Sequence, residues 1–240
     1  MIQRYHLHRI SALITAALWV GAFLLTGCDR KPEAPAPRDT PPRPVEKTEY
    51  EGTIVAMGDS LTEGYGLPRD RAYPALLEEK LQAEGFSFQV INAGISGETS
   101  SGTRSRTEWM LSLKPDIVIL ETGANDGLRG VDPEVTRENI AEIIRILQKN
   151  DVVVVLAGMR MVRNLGREYT DAFSGIYPAL AEQFEVIFIP FFLEGVAGDP
   201  ALNQEDSIHP NAEGYRVLVN HIHPQVVKAI RVRRARSSED

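Results

Sequence analysis

Short apolar runs alternate with segments of helical periodicity through most of the chain. Five of the runs are continuous and rich in β-branched residues, which predicts buried strands; they cover residues 53–57, 88–91, 116–120, 151–156 and 186–189. Apolar residues at helical spacing fill the intervening segments, as in 140–147, and a last helix is predicted over 211–230. Strands that alternate with helices predict an α/β fold with a parallel sheet covered on both faces.

The first 27 residues have the pattern of a secretory leader. Arg4 and Arg9 precede an uncharged stretch over 10–25, which is shorter than the roughly 20 apolar residues of a membrane-spanning helix. Leu25-Thr26-Gly27-Cys28 follows at once and resembles the lipobox of bacterial lipoproteins. That resemblance implies cleavage before Cys28 and lipidation of its thiol; the alternative is a plain signal anchor with an idle thiol.

The chain that follows divides into three parts. Residues 28–50 are rich in proline and poor in apolar residues, which predicts an extended linker after the lipidated cysteine. Residues 51–230 form the predicted folded domain, and residues 231–240 are expected to be a disordered, charged tail. These predictions place the domain on the periplasmic side of the cell envelope, anchored to a membrane by lipid. Asp29, directly after the cysteine, slightly favours the inner membrane.

Charge and cysteine content exclude some functions. The formal net charge of −7 argues against nucleic-acid binding, which favours basic surfaces. The single cysteine cannot form an intramolecular disulfide or a cysteine-rich metal site. His221 and His223 have no third ligand nearby in the sequence, so they are interpreted as surface residues and no metal is expected.

Polar clusters follow the first three predicted strands, and a fourth precedes the last helix. They cover residues 58–61, 92–97, 123–126 and 206–210. Because ligand sites in parallel sheets lie beyond the carboxyl ends of the strands, these clusters are expected to converge. Asp59 and Asp126 are expected to brace the loops that carry them.

The clusters contain the parts that ester cleavage at a serine requires. Ser60 can act as nucleophile and His209 as its base, because imidazole titrates near neutral pH. Asp206 lies three residues before the histidine and can orient its ring. The backbone N–H groups of Ser60 and Gly97 and the side-chain amide of Asn125 can form an oxyanion hole.

The order of these motifs resembles the SGNH/GDSL hydrolase family. The matching blocks are Gly58-Asp59-Ser60, Gly97, Gly123-Ala124-Asn125-Asp126 and Asp206-Ser207-Ile208-His209, and the similarity runs from about Thr53 to about Tyr215. It is closest to the bacterial arylesterase, acyl-CoA thioesterase I and lysophospholipase branch.

The resemblance implies a flavodoxin-like, three-layer α/β/α sandwich with a five-stranded parallel sheet and no cofactor. It assigns Ser60, Asp206 and His209 to a catalytic triad, and Ser60, Gly97 and Asn125 to the oxyanion hole. It further implies that an acyl pocket is lined by Leu128, Met159, Met161 and Leu165.

Three functions remain open from the sequence. The first is an esterase or thioesterase of acyl chains, acting as a monomer on a small-molecule or lipid ester. The second keeps the same chemistry but acts on O-acetyl groups of a cell-envelope glycan. The third is a non-catalytic binding module of flavodoxin-like shape.

Overall fold

The computed structural model of the protein describes residues 49–161 and 165–238. The strands are β1 (Gly52–Gly58), β2 (Phe88–Gly94), β3 (Ile117–Glu121), β4 (Val153–Ala157) and β5 (Ile187–Ile189). The α-helices are α1 (Ser60–Glu63), α2 (Tyr73–Ala83), α3 (Ser100–Met110), α4 (Ala124–Leu128), α5 (Pro133–Lys149), α6 (Arg167–Gln183) and α7 (Ala212–Ser237). The predicted leader, Cys28 and most of the proline-rich linker lie outside the described residues.

The five strands form one parallel sheet in the order β2-β1-β3-β4-β5. In the register of its centre, Val55 pairs with Ile91 on one side and with Val118 on the other. Helices α2 and α7 pack together, while α3, α5 and α6 form a second packed group. The predicted three-layer α/β/α sandwich with a five-stranded parallel sheet is therefore confirmed.

The core explains why the strands are continuous apolar runs. Every residue of β3 and β4 is buried, because helices cover both faces of the sheet. Two buried tyrosines also reach loops at the carboxyl end of the sheet: Tyr177 donates to the Thr122 carbonyl at 2.9 Å, and Tyr215 donates to the Leu61 carbonyl at 2.9 Å. The core thus holds the backbone on which the polar clusters lie.

The charged C-terminal segment differs from the prediction of a disordered tail over 231–240. Helix α7 continues to Ser237, and Arg233 bridges Asp116 at 2.9 Å and Asp151 at 2.7 Å. These acidic residues precede β3 and β4, so their position opposite the arginine is set by the tertiary fold. The helical prediction stopped at 230 because the apolar pattern ends there.

Helix α3 was not predicted from the sequence. Its buried face carries hydroxyls: Thr103 shares a hydrogen bond of 2.8 Å with Thr122, and Thr107 donates to the Thr103 carbonyl at 2.9 Å. A polar face of this kind has no hydrophobic periodicity to detect. Within the described ranges, no helix combines the length and the apolar character that a membrane crossing requires.

Candidate active site

Ser60 is the first residue of α1, directly after the tight turn that follows β1. Asp59 caps the helix, because its Oδ1 accepts the Leu61 N–H at 3.0 Å. The turn passes so close to β3 that a Cβ at residue 58 would lie 2.2 Å from Thr62 Oγ1 and 2.5 Å from the Glu121 carbonyl oxygen. Glycine at position 58 is therefore required for the close approach that places the serine at the edge of the sheet.

The structure brings the three predicted triad residues into one hydrogen-bonded chain. His209 Nε2 lies 2.8 Å from Ser60 Oγ, and His209 Nδ1 lies 2.7 Å from Asp206 Oδ2. Between the two loop residues, Ser207 has a φ of 60°, a left-handed conformation that tightens the turn. The ring can therefore take the serine proton on one nitrogen while the carboxylate holds the other.

Asp206 is held as a carboxylate by donors from its own loop. Its Oδ1 accepts the backbone N–H of Ile208 at 2.9 Å and that of His209 at 3.0 Å. Burial by itself would raise the pKa of Asp206, but these hydrogen bonds and the one from the His209 ring lower it to about 2. The orienting group therefore stays charged at neutral pH.

The three predicted oxyanion donors differ in whether they already have a hydrogen-bond acceptor in the protein. Among the described residues, neither the Ser60 N–H nor the Gly97 N–H donates to a protein acceptor. By contrast, Asn125 Nδ2 donates to Asp59 Oδ2 at 3.0 Å and to the Glu98 carbonyl at 3.0 Å. Ser60 and Gly97 line the same cleft, so their N–H groups are free for a substrate oxygen, whereas that oxygen must share the Asn125 amide with existing acceptors.

A largely buried ion pair fixes the loop that carries Gly97. Arg106 of α3 donates to both carboxylate oxygens of Glu98 at 2.6–2.9 Å, and also to the Gly58 carbonyl at 3.2 Å. Only 13% of the arginine side chain and 9% of the glutamate side chain are exposed. The pair therefore joins the end of β1 to the neighbouring loop and sets the distance between Ser60 and Gly97.

Asp126 braces the loop after β3, as the sequence predicted. Its Oδ2 accepts the Ser100 N–H at 2.7 Å, and its Oδ1 accepts the Ser100 hydroxyl at 2.6 Å and the Thr136 hydroxyl at 3.3 Å. The carboxylate thereby links α3, α4 and α5 next to Asn125. Its role is to hold the loop, since it contacts none of the triad residues.

A cleft of about 220 Å³ opens over the serine and the histidine. Its apolar wall consists mainly of Tyr65, Leu128 and Ile208, each about half-exposed. The Tyr65 ring lies 4.7 Å from the His209 ring, centroid to centroid, at an angle of 38°. An acyl group bound here would lie beside the reacting atoms and against a mostly apolar surface.

Of the four residues predicted to line an acyl pocket, Leu128 lines this cleft. Met159 is 3% exposed and lies in the core, because the chain after β4 stays paired with the segment after β5. Met161 packs with its sulfur against Gly127, behind α4, and Leu165 is exposed outside the cleft. These three residues therefore do not line the cleft in this structure.

Tyr65, Ile208 and Glu121 are site residues that sequence reasoning missed. Tyr65 and Ile208 lie within five residues of the triad serine and histidine, so their proximity along the chain was an available signal. Glu121 interrupts the apolar run of β3 at its last residue and is fully buried. A charged residue at the buried end of a strand was the signal that could have found it.

The arrangement can cleave an acyl group from oxygen or sulfur. It supplies a nucleophilic hydroxyl, a base hydrogen-bonded to it, a carboxylate behind the base and two unoccupied backbone donors. No cluster of histidine, cysteine and carboxylate side chains that could hold a metal ion is found in the described part of the chain.

Comparison with known proteins gives consistent matches. A family model described as the GDSL-like Lipase/Acylhydrolase family matches residues 56–217. Esterase TesA of Pseudomonas aeruginosa is 38% identical over 173 residues, which cover 72% of this chain and 86% of that protein. The thioesterase 1/protease 1/lysophospholipase L1 of Escherichia coli K12 is 38% identical over 175 residues, covering 72% and 83%.

A solved structure agrees in fold. The psychrotrophic esterase EstA from Pseudoalteromonas sp., in a form inhibited by monoethylphosphonate, superposes with a TM-score of 0.72 at 31% identity. The match covers 75% of this chain and all of that one. The family match over residues 56–217 includes all four polar clusters.

Proposed function

Because the chain belongs to the GDSL-like lipase/acylhydrolase family, we propose that it cleaves carboxylic esters and thioesters of acyl chains through an acyl-enzyme at Ser60. The observation that carries this proposal is the position of His209, which bridges the Ser60 hydroxyl and the Asp206 carboxylate within 2.8 Å of each.

The geometry supports a two-step reaction. His209 Nε2 removes the proton from Ser60 Oγ as the oxygen attacks the carbonyl carbon, and the oxyanion is held by the backbone N–H groups of Ser60 and Gly97. The imidazolium returns the proton to the leaving alcohol or thiol as the carbon–heteroatom bond breaks. A water molecule, deprotonated by the same ring, then hydrolyses the acyl-enzyme and restores the serine.

The apolar wall of the cleft supports the proposal that the enzyme recognises the acyl chain of its substrate. Tyr65, Leu128 and Ile208 offer an apolar surface but few polar groups that could select the hydroxyls of a sugar. Apart from the protease named for the Escherichia coli protein, the named activities of the relatives, esterase, arylesterase, thioesterase and lysophospholipase, are activities on esters or thioesters. These two observations favour an acyl substrate over an acetylated glycan.

The test is a panel of p-nitrophenyl esters and acyl thioesters of graded chain length, with an acetylated polysaccharide as the competing substrate. We expect hydrolysis of the esters, loss of turnover in Ser60→Ala, and covalent labelling of Ser60 by a fluorophosphonate. A marked preference for the polysaccharide would replace the acyl substrate by a glycan. Absence of labelling and of turnover in the wild-type protein would favour a binding module.

Anchoring to the cell envelope is a separate proposal that rests on the sequence around Cys28. The leader, the Leu25-Thr26-Gly27-Cys28 motif and the proline-rich segment after it support a lipid-anchored, periplasmic enzyme. In the native bacterium we expect Cys28→Ser to abolish incorporation of a labelled fatty acid and to shift the protein out of the membrane fraction. Unchanged partition of the variant would contradict the anchor.

A further inference from the structure

Two buried carboxyl groups belong to residues that are joined by a hydrogen bond next to the nucleophile. Glu121, at the end of β3, is fully buried, and Asp59 is 1% exposed. The Asp59 N–H donates to Glu121 Oε2 at 3.2 Å, and each carboxyl shifts the pKa of the other. Neither carboxyl takes part in a salt bridge within the described residues. Because an unpaired buried carboxylate is costly, two ionised groups at this distance would be strongly unfavourable.

The hydrogen-bond donors around the pair show which group holds the charge. Asp59 receives the Leu61 N–H on Oδ1 and the Asn125 amide on Oδ2, each at 3.0 Å. Glu121 receives the Thr62 hydroxyl at 2.8 Å and the Asp59 N–H at 3.2 Å, both on Oε2, while Oε1 has no donor. Donors on both oxygens stabilise a carboxylate at Asp59, and the undonated oxygen fits a neutral carboxyl at Glu121.

The electrostatics agree with this division. Burial raises the pKa of Asp59 to about 6, against the lowering effect of its donors. Burial, followed by repulsion from Asp59, raises the pKa of Glu121 well above its ordinary range. The other titratable groups that act on the pair are His209, which favours the Asp59 carboxylate, and the buried Tyr73, Tyr177 and Tyr215, whose own pKa values are raised by burial.

The pair is connected to catalysis through Asn125. Asp59 directly precedes Ser60, and its Oδ2 holds the Asn125 amide that is expected to contribute to the oxyanion hole. The carbonyl of Glu98 holds the same nitrogen from the other side. Orientation of the amide therefore depends on the Asp59 carboxylate, and the Asp59 carboxylate depends on the group behind it.

We propose that Glu121 is a positioning residue which, as a neutral carboxyl, donates its proton to Asp59 and so keeps the Asp59 carboxylate aligned on the Asn125 amide. No bond is made or broken to the substrate by this pair. Its effect is to hold one oxyanion donor in place while leaving a single negative charge beneath the nucleophile. This inference rests on the ester hydrolysis proposed above.

Two substitutions at the same position separate this role from simple packing. Glu121→Gln keeps a hydrogen donor toward Asp59 and an acceptor for Thr62, whereas Glu121→Met keeps the length of the side chain and removes both. We expect Glu121→Gln to retain kcat within about threefold, and Glu121→Met to lower kcat about 10- to 100-fold with little change in KM. Glu142→Gln, on the exposed face of α5, controls for the loss of one carboxylate.

The pH dependence gives a second readout. Because the folded-state pKa of Glu121 is raised, its favourable contribution is complete below the ordinary carboxyl pKa and is lost as the pH rises through the folded value. Wild-type stability and kcat should therefore decline as the pH rises above the ordinary carboxyl range, whereas Glu121→Gln should keep both to higher pH. Identical kcat and pH profiles for wild type, Glu121→Gln and Glu121→Met would overturn the proposal.

Infrared spectroscopy tests the proton directly and requires neither turnover nor a stable Glu121→Met variant. The wild-type protein at neutral pH should show the carbonyl absorbance of a protonated carboxylic acid, which Glu121→Gln should lack and Glu142→Gln should retain. If the wild-type spectrum has no such band, the proposal fails even in an active esterase. If the band is present but no ester is hydrolysed, the proposed function fails instead.

Discussion

Replacing Arg106 by methionine tests how far the ion pair behind Gly97 determines the stability of the site. The substitution keeps the length of the side chain but leaves the Glu98 carboxylate, 9% exposed, without its guanidinium partner. Removing one member of a buried pair costs about 3–5 kcal/mol, because the remaining charge stays desolvated. For a domain of this size, such a loss corresponds to a fall in Tm of about 6–20 °C. We expect kcat to fall as well, since Arg106 also holds the Gly58 carbonyl.

Urea denaturation, with m compared between variants, measures this loss, and a short p-nitrophenyl ester reports on the site. Arg104→Met, an exposed position on the same helix, is the matched control and should change stability by less than about 0.5 kcal/mol. The double variant Glu98→Gln/Arg106→Met should be more stable than Arg106→Met, because it has no unpaired charge. A loss below about 1 kcal/mol for Arg106→Met, or a double variant no more stable than that single one, would refute the reasoning.

Three further predictions concern Asp206 and the tight turn at Gly58. Asp206→Asn should lower kcat about 10⁴-fold, because the amide favours the wrong imidazole tautomer; steady-state kinetics retaining a tenth of the activity would contradict this. The pKa of Asp206 is lowered from 3.8 to about 2, so its stabilisation is complete above the higher value and is lost as the pH falls through the lower one. Urea unfolding between pH 3.8 and about 2 should show wild-type stability falling with pH more steeply than that of Asp206→Asn. Parallel curves of stability against pH for the two proteins would contradict this contribution. Gly58→Ala should cost about 1–3 kcal/mol, because the added methyl meets Thr62 at 2.2 Å; an unchanged urea midpoint would be inconsistent with the tight turn.

The sheet and the triad were accessible from sequence because each leaves a local pattern. A buried parallel strand is a continuous apolar run, and the residues that react are polar groups at the ends of such runs. Ser60 follows such a run, and the resemblance of its cluster and the Asp206–His209 cluster to the SGNH/GDSL motifs assigned the triad before any geometry was known. Their contacts at 2.7 and 2.8 Å are consistent with that assignment.

The remaining features depend on tertiary contacts that no local pattern encodes. Helix α3 buries threonine hydroxyls, which satisfy one another only once the fold has formed. Met159 follows a strand and is apolar, so the sequence does not distinguish a residue of the core from one of the cleft. Ion pairs such as Arg233 with Asp116 join residues far apart in the chain, and so the helical extension of α7 was not predicted.

The residues of the cleft wall and the catalytic residues are held in place differently, which affects how the substrate selectivity of the cleft can change. Tyr65, Leu128 and Ile208 face the cleft half-exposed, and none of their side chains forms a hydrogen bond within the described structure. The catalytic groups, in contrast, are fixed by backbone donors and buried carboxyls beneath them. Exchanges among apolar residues at the three wall positions should therefore alter which acyl-chain lengths are accepted, with little loss of folding stability. Related enzymes can thus differ in substrate range while they share one catalytic mechanism.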